Sequence, residues 1–352
     1  MYNRNTYALI DLKAIKNNVS KIIKKYNNYK YYFGVVKADS YGHDGIEVVK
    51  AIIDGGCNYL CVATLDEALD IRKEIIDIPI LCLGIIPIDH LDKCIENNIT
   101  ITISNIDYLK DIDISGLKCH IKINTGMNRL GISNEEELLD VYKMCINKGI
   151  YVEGVYSHLY DACNESANIE QLNRFSLFTS KLDLDNIPIV HLQASDGIIN
   201  LEKKDFINGC RLGIIMYGFT SDKDLNLSST FSLYSEVIGI NHLNKGDTLG
   251  YGAKYIASGT EQIAVVSIGY ADGVIRHNTN RFVYINDKRY QIVGNICMDM
   301  LFVKVDGSVK VGDKVLVLKD NEHILEVSNH LDTIPYEILC TVSKRVPRIY
   351  TE

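Results

Sequence analysis

The sequence predicts an α/β fold: a (β/α)8 barrel over residues 8–225, then a mainly-β domain over residues 226–352 that residues 1–7 are free to join. Three observations carry that reading. Short apolar, β-branched runs alternate with amphipathic stretches over the first two-thirds of the chain. Eight such strand–helix pairs follow in series, the number that closes a parallel barrel. After about Thr220 the runs become closely spaced and are separated by turn residues, as in antiparallel β-structure.

The first run, Tyr32–Val36, is aromatic and β-branched, as a strand buried on both faces requires, and it ends at a single lysine, Lys37. Tyr59–Val62, Ile80–Leu83, Ile99–Ile103, Cys119–Ile123, Val152–Tyr156, Ile189–Leu192 and the segment just before Arg211 complete the set. Helix-like segments fall between them, among them Gly45–Asp54 and Leu65–Glu74. Thr64 opens the latter with Glu67 three residues on, the spacing of a capping box. A doubly wound sheet also alternates strands and helices, but it places a glycine fingerprint where this chain has Lys37. The polar stretch near Ser221–Leu227 reads as the linker. Beyond it lie Phe231–Ile240, Ile263–Ile268, Arg281–Ile285, Gln291–Val293 and Lys314–Leu318, with turn signals at Asn244-Lys245-Gly246-Asp247 and Asn286-Asp287. These read as an all-β domain.

Composition narrows the function classes. With 47% apolar and 23% charged residues the chain is of ordinary globular type. Its net charge of −8 argues against a nucleic-acid surface. The lysines at 21, 24, 25 and 30 read as a solvated helix face. The ten cysteines show no CxxC spacing. Cys61, Cys82 and Cys119 lie in apolar runs, as small buried hydrophobes do in a reducing compartment. No metal site is expected. No secretory leader is expected, because the N-terminus carries no signal-peptide h-region, and no apolar run approaches the ~20 residues that span a bilayer. The expected location is the cytoplasm, with no membrane partner.

In such a barrel the chemistry gathers at the C-terminal strand ends. Lys37 ends the first strand, Arg129 follows the fifth and His158 the sixth. Ser195 follows the seventh, and Arg211 and Gly213 the eighth. A lysine in apolar surroundings favours its neutral, nucleophilic amine, and Tyr41 sets a hydroxyl four residues on that can hold an anion. Lysine with an anion-binding hydroxyl is what pyridoxal 5′-phosphate requires of a protein. Ser195 begins a Ser-Asp-Gly turn before a helix-like run, where a phosphate can meet backbone N–H groups. Gly213 and Ile214 offer further N–H donors.

The string Val35-Val36-Lys37-Ala38-Asp39-Ser40-Tyr41-Gly42-His43 resembles the cofactor-lysine segment of the alanine racemase family. The resemblance recurs, in family order, at Asn124-Thr125-Gly126-Met127-Asn128-Arg129-Leu130-Gly131, at Arg211-Leu212-Gly213-Ile214-Ile215-Met216-Tyr217-Gly218 and at Gly250-Tyr251-Gly252-Ala253. It continues at Ile268-Gly269-Tyr270-Ala271-Asp272-Gly273, at Val293-Gly294-Asn295-Ile296-Cys297-Met298-Asp299 and at Arg345-Val346-Pro347-Arg348, and so spans almost the whole chain.

The resemblance implies interconversion of L- and D-alanine by two bases, Lys37 on one face of the substrate and Tyr251 on the other, supplying D-alanine for peptidoglycan. By the same likeness Arg129 meets the cofactor's phenolic oxygen, and His158 helps order the cofactor and Arg211. Tyr336 lies near the phosphate, Met298 contributes to substrate carboxylate binding, and Tyr270 narrows the entrance. Lys122 matches a lysine that is often carbamylated; as a plain cation it would repel Arg129. Arg211 would face the pyridine nitrogen. An arginine stays protonated and donates to an unprotonated nitrogen, which keeps the electron sink shallow and suits a racemase. Support for a Tyr251 phenolate is expected from His158 and Arg211 as positive neighbours. Family members are head-to-tail homodimers with shared sites, so a second copy of the chain is the expected partner.

The match loosens at Asp39, Ser40 and Asp44, and at His191-Leu192-Gln193-Ala194-Ser195-Asp196-Gly197. With Val155-Tyr156-Ser157-His158-Leu159, that segment is similar to the serine/alanine racemase branch of vancomycin-type resistance clusters. A serine or broad-specificity racemase is therefore the alternative, although Tyr336 crowds the substrate side chain and favours alanine. A basic amino-acid decarboxylase of the same architecture would need an acidic group where Arg211 stands. A non-catalytic pyridoxal-phosphate-binding barrel would lack Tyr251 and Met298.

Overall fold

In a computed structural model, which describes residues 4–352, the chain divides into two compact units. One holds residues 15–40 and 45–228. The other holds the N-terminal segment through Ala14, a short insert Tyr41–Asp44, and Ser229–Glu352.

Strand β1 (Tyr7–Asp11) belongs to the second unit, so the barrel unit begins later than residue 8. The reason is pairing: β1 runs antiparallel to β10 (Phe231–Leu243), Ala8 facing Leu233, and parallel to the C-terminal strand, Ala8 facing Arg348.

The first unit is a closed parallel barrel of eight strands: β2 (Tyr31–Val35), β3 (Tyr59–Val62), β4 (Ile80–Cys82), β5 (Ile99–Ile103), β6 (Lys118–Lys122), β7 (Tyr151–Tyr156), β8 (Ile189–Ala194) and β9 (Gly209–Leu212). Tyr31 of β2 faces Gly209 of β9 to close it. Strands β3, β4 and β5 are buried at every position, which is why they read as unbroken apolar runs. The capping box forms as expected: Thr64 accepts the Glu67 N–H, and the Glu67 carboxylate accepts that of Thr64.

In the second unit, β10, β13 (Glu261–Val266), β14 (Phe282–Ile285), β15 (Lys288–Ile292), β16 (Leu301–Val305), β17 (Lys314–Leu318) and β18 (Arg348–Thr351) join β1 in an eight-stranded sheet. The short pair β11 (Thr248–Leu249) and β12 (Tyr255–Ile256) stands apart from it. Asn286 and Asp287 turn β14 into β15 with φ of 50° and 62°, left-handed at both positions as a tight hairpin requires. The unit is not all-β. Helices Asn321–His330 and Pro335–Thr341 interrupt it, the first capped by Asp320, which accepts the His323 N–H, and the second opened by its proline. Among the described residues, no helix is long and apolar enough to cross a membrane.

Candidate active site

Lys37 follows the end of β2 and opens an unusual turn. Ala38, Asp39, Ser40 and Tyr41 have φ between 51° and 56°, a run of left-handed residues that L-amino acids resist. The surroundings supply what holds it. The Ala38 N–H donates to Glu67 Oε1 at 2.7 Å, and Glu67 Oε2 accepts the Ala63 N–H at 2.7 Å, so the cap of one helix also anchors the turn after Lys37. Further on, Gly42 (φ 77°) leaves no room for a Cβ, which would lie 2.1 Å from Leu339 O. Buried Arg348 donates to Gly42 O through Nε (3.1 Å) and Nη2 (2.9 Å). Strain of this kind gathers where a side chain must be presented in one direction.

Several of the expected residues lie at the C-terminal ends of the barrel strands. Arg211, fully buried on β9, donates through Nη2 to Ser157 O (2.8 Å), Leu192 O (3.0 Å) and His158 Nδ1 (2.9 Å), and through Nη1 to His191 Nδ1 (2.7 Å). Burial, then the cations Arg211, Arg129, Lys122 and Lys37, push His158 down to about 3. His158 is therefore neutral, with its proton on Nε2, and is not the positive neighbour the sequence led us to expect; it offers a polarised N–H donor instead.

Ser195 is buried and accepts the Gly213 N–H at 3.1 Å and that of Ile215 at 3.4 Å. The Gly213 N–H thus points to Ser195, with Ile214 opening the short 3-10 turn Ile214–Tyr217. The helix expected after Ser195 is a single turn, Gly197–Asn200, too short for a developed dipole.

Lys122, at the end of β6, is buried with its Nζ 5.5 Å from the centroid of the Tyr156 ring. Burial, then Arg129, Arg211 and Lys37, lower its pKa to about 8. Between about 8 and its ordinary 10.5 the unfolded chain binds more protons at this position, so the folded state gains stability as pH rises through that window. Lys122→Met should remove this rise and stabilise the ligand-free protein at neutral pH by as much as about 3 kcal/mol. Urea unfolding in CO2-free buffer, at neutral pH and near pH 10, checks it; an unchanged pH slope in the variant would assign the effect elsewhere.

The remaining predicted residues lie in the second unit. Tyr251 and Met298 are exposed at 75% and 53%, and Tyr270 is exposed as well. They share one loop cluster: Asn295 Nδ2 donates to Tyr251 O (2.7 Å), and the N–H groups of Tyr270 and Ala271 donate to Cys297 O and Met298 O (both 3.0 Å). Tyr41 and Tyr336 form a separate pair, with ring centroids 5.6 Å apart. Glu67 bears on the turn after Lys37, and His191, His120 and Glu153 lie in the barrel interior beneath Arg211, but none of them was singled out from sequence as a site residue. For Glu67 the capping box was the visible signal; for the two histidines it was their place inside otherwise apolar strands.

Lys37, Arg211 and the exposed Arg129 thus all bear on buried Lys122, and Arg211's own hydrogen bonds go to carbonyls and neutral rings. A cluster of like charges of this kind favours binding of an anion. Such a rim on a (β/α)8 barrel is the mark of an enzyme that grips a small, strongly anionic group.

Comparison with known proteins fixes which enzymes these are. Residues 10–221 match the alanine racemase N-terminal domain, and residues 230–350 the alanine racemase C-terminal domain. The chain is 36% identical to alanine racemase 1 of Bacillus subtilis, over 100% of this chain and 94% of that protein. With the alanine racemase of Streptococcus pyogenes serotype M1 it shares 34% identity, over 99% of each. The crystal structure of the E. faecalis alanine racemase superposes with a TM-score of 0.92 at 31% identity, covering 99% of both chains. That from Bacillus anthracis, solved with bound L-Ala-P, gives 0.92 at 33%, covering 100% of this chain and 96% of that one. The chain belongs to the alanine racemase family, and is an isomerase.

Proposed function

We propose that this chain interconverts L- and D-alanine with pyridoxal 5′-phosphate, using Lys37 and Tyr251 as its two bases, and supplies D-alanine for peptidoglycan. The observation that carries the reading is the rim of four cations, the buried Arg211 among them, a donor set that fits a phosphate, a phenolate oxygen and a substrate carboxylate together. Lys37 would hold the cofactor covalently. Arg211 would face its ring nitrogen, Arg129 its phenolic oxygen, and Tyr41, Ser195, Gly213, Ile214 and Tyr336 its phosphate. When bound, the cofactor supplies a sink for the electron pair left on Cα.

The chain's own groups do the rest. Once the substrate amine has taken its place, the freed Lys37 Nζ would take the Cα proton on one face, and Tyr251 Oη would give one back on the other. Reversal of the roles serves the opposite hand. His158 offers its Nε2–H to the Tyr251 oxygen, with Arg211 polarising the ring from Nδ1. Arg129 and Met298 receive the substrate carboxylate, and Tyr270 narrows the entrance. Carbamylation would turn Lys122 from a buried cation into an anion beside Arg129, and burial favours this by keeping part of the amine neutral at the pH where CO2 adds.

The exposed loop cluster of Tyr251, Tyr270 and Met298 supports a homodimer in which each copy completes the other's site. All ten cysteines are free thiols, which supports a cytoplasmic location.

Loss of optical activity from L-alanine and L-serine, measured side by side, tests the substrate. Alanine should be faster, and serine turned over at least as fast would transfer the chain to the serine/alanine branch. Borohydride reduction and peptide mapping should place the cofactor on Lys37. Labelling of another lysine would sink that assignment.

A further inference from the structure

The barrel interior beneath Arg211 holds a continuous polar line that the two-base chemistry leaves unexplained. Arginine has only donors, so His191 Nδ1, 2.7 Å from Arg211 Nη1, must accept, and the neutral ring keeps its proton on Nε2. That nitrogen lies 2.8 Å from His120 Nδ1, which accepts in turn. His120 Nε2 makes no hydrogen bond, but it faces Glu153 Oε2 3.4 Å away, a polar contact toward which its N–H points. Oε2 also accepts from Tyr59 Oη (2.6 Å) and Thr100 Oγ1 (2.9 Å).

The line is sealed. His120 and His191 have no exposed surface, and His191 is stacked on Phe33 (centroids 4.6 Å) and Tyr156 (4.7 Å), which denies its ring a flip. Burial lowers the pKa of both imidazoles and keeps them neutral. Burial also opposes ionisation of Glu153, but the His120 ring beside it and the hydrogen bonds from Tyr59 and Thr100 prevail and hold its pKa below the usual carboxylate range. Every N–H in the line therefore points the same way, from a cation at the mouth to a carboxylate near the start of β7, at the opposite end of the strands.

We propose that Glu153 and His120 are positioning residues that act through His191 to fix Arg211 in place at the barrel mouth. The role assigned to Arg211 rests on the racemase reading above; the tautomers do not. Were the proton of His191 on Nδ1, two N–H groups would meet at 2.7 Å and the guanidinium would be driven off its carbonyl partners. With the ring unable to turn, the tautomer is the remaining variable. His120 sets it by offering an acceptor, and Glu153 sets that of His120. Glu153 is also the countercharge that the other partners of Arg211 do not supply.

Nitrogen-15 NMR of the histidine rings in cofactor-free protein reads this directly. His120 and His191 should both be Nε2–H rings that do not titrate through neutral pH. His120→Leu removes the acceptor, so His191 should become a mixture of tautomers. Cofactor affinity and kcat should each fall roughly tenfold to a hundredfold, as when the support of a ligating side chain is lost, with KM for alanine little changed. His120→Asn keeps an oxygen for His191 and an N–H for Glu153, and should restore both the tautomer and turnover. If His120→Leu does not fold, Glu153→Gln serves. It keeps acceptors for Tyr59 and Thr100, removes only the charge, and should lower kcat without moving KM. An Nδ1–H ring at His191 in the unaltered protein overturns the proposal. So does a folded His120→Leu or Glu153→Gln variant with normal kcat and cofactor affinity. Absence of racemisation in the unaltered protein would strike the functional reading instead, and the ring tautomers would still decide the positioning.

Discussion

Replacing Tyr251 by Phe should leave a folded protein that keeps its cofactor and loses racemisation in both directions by ~10²–10⁴-fold, the usual cost of removing a positioned acid–base group. The substitution deletes one hydroxyl. With 75% of the side chain exposed, little packing depends on it, so stability should hold. The backbone that presents Tyr251 is untouched, since Gly250 (φ 66°) and Gly252 (φ 71°) make the turn and Asn295 holds the Tyr251 carbonyl. Both directions must suffer, because one face gives the proton for one hand and takes it for the other. The measurement is initial loss of optical activity from each enantiomer. Tyr270→Phe, in the same loop cluster, is the control for a general effect of removing a hydroxyl there. Near-normal turnover in Tyr251→Phe would assign the second base to another group.

The barrel was legible because its strands are buried on both faces, so burial wrote itself into the chain as apolar runs. Tyr59–Val62 and Ile99–Ile103 coincide with the strands observed. The second unit was less legible because its strands bury one face and its helices are short. Leu301–Val305 alternates as a strand should but follows directly on the Met298-Asp299-Met300 segment, while Asp320 and Pro335 announced two helices that an all-β expectation passed over. Boundaries failed where pairing is remote in sequence. Nothing near Tyr7 says that its partner is Tyr234. The site followed the same division. Lys37, Arg129 and Arg211 stood out through their motifs, whereas the neutrality of His158 depends on burial and on cations from several strands. The line from His191 to Glu153 was hidden for the same reason, since its members are 71 and 33 residues apart and meet only when β6, β7 and β8 lie side by side.

Mixing inactive Lys37→Ala with inactive Tyr251→Ala should restore up to about a quarter of full activity if each site takes its two bases from different copies of the chain. At equal input half the dimers are mixed, and each mixed dimer has one site with both bases intact and one with neither. The physical ground is the placement of Tyr251, Tyr270 and Met298. These large side chains stand exposed on one loop cluster, which a free surface does not favour and a second copy would cover. The same arrangement makes activity depend on concentration, since dilution through the dimer dissociation constant should silence both sites together. Subunit exchange must be shown by tagging one variant and recovering the other with it. Exchange without any rescue would place Lys37 and Tyr251 of one chain in one site. The exposed cluster would then need another occupant, and dilution should leave turnover per chain unchanged.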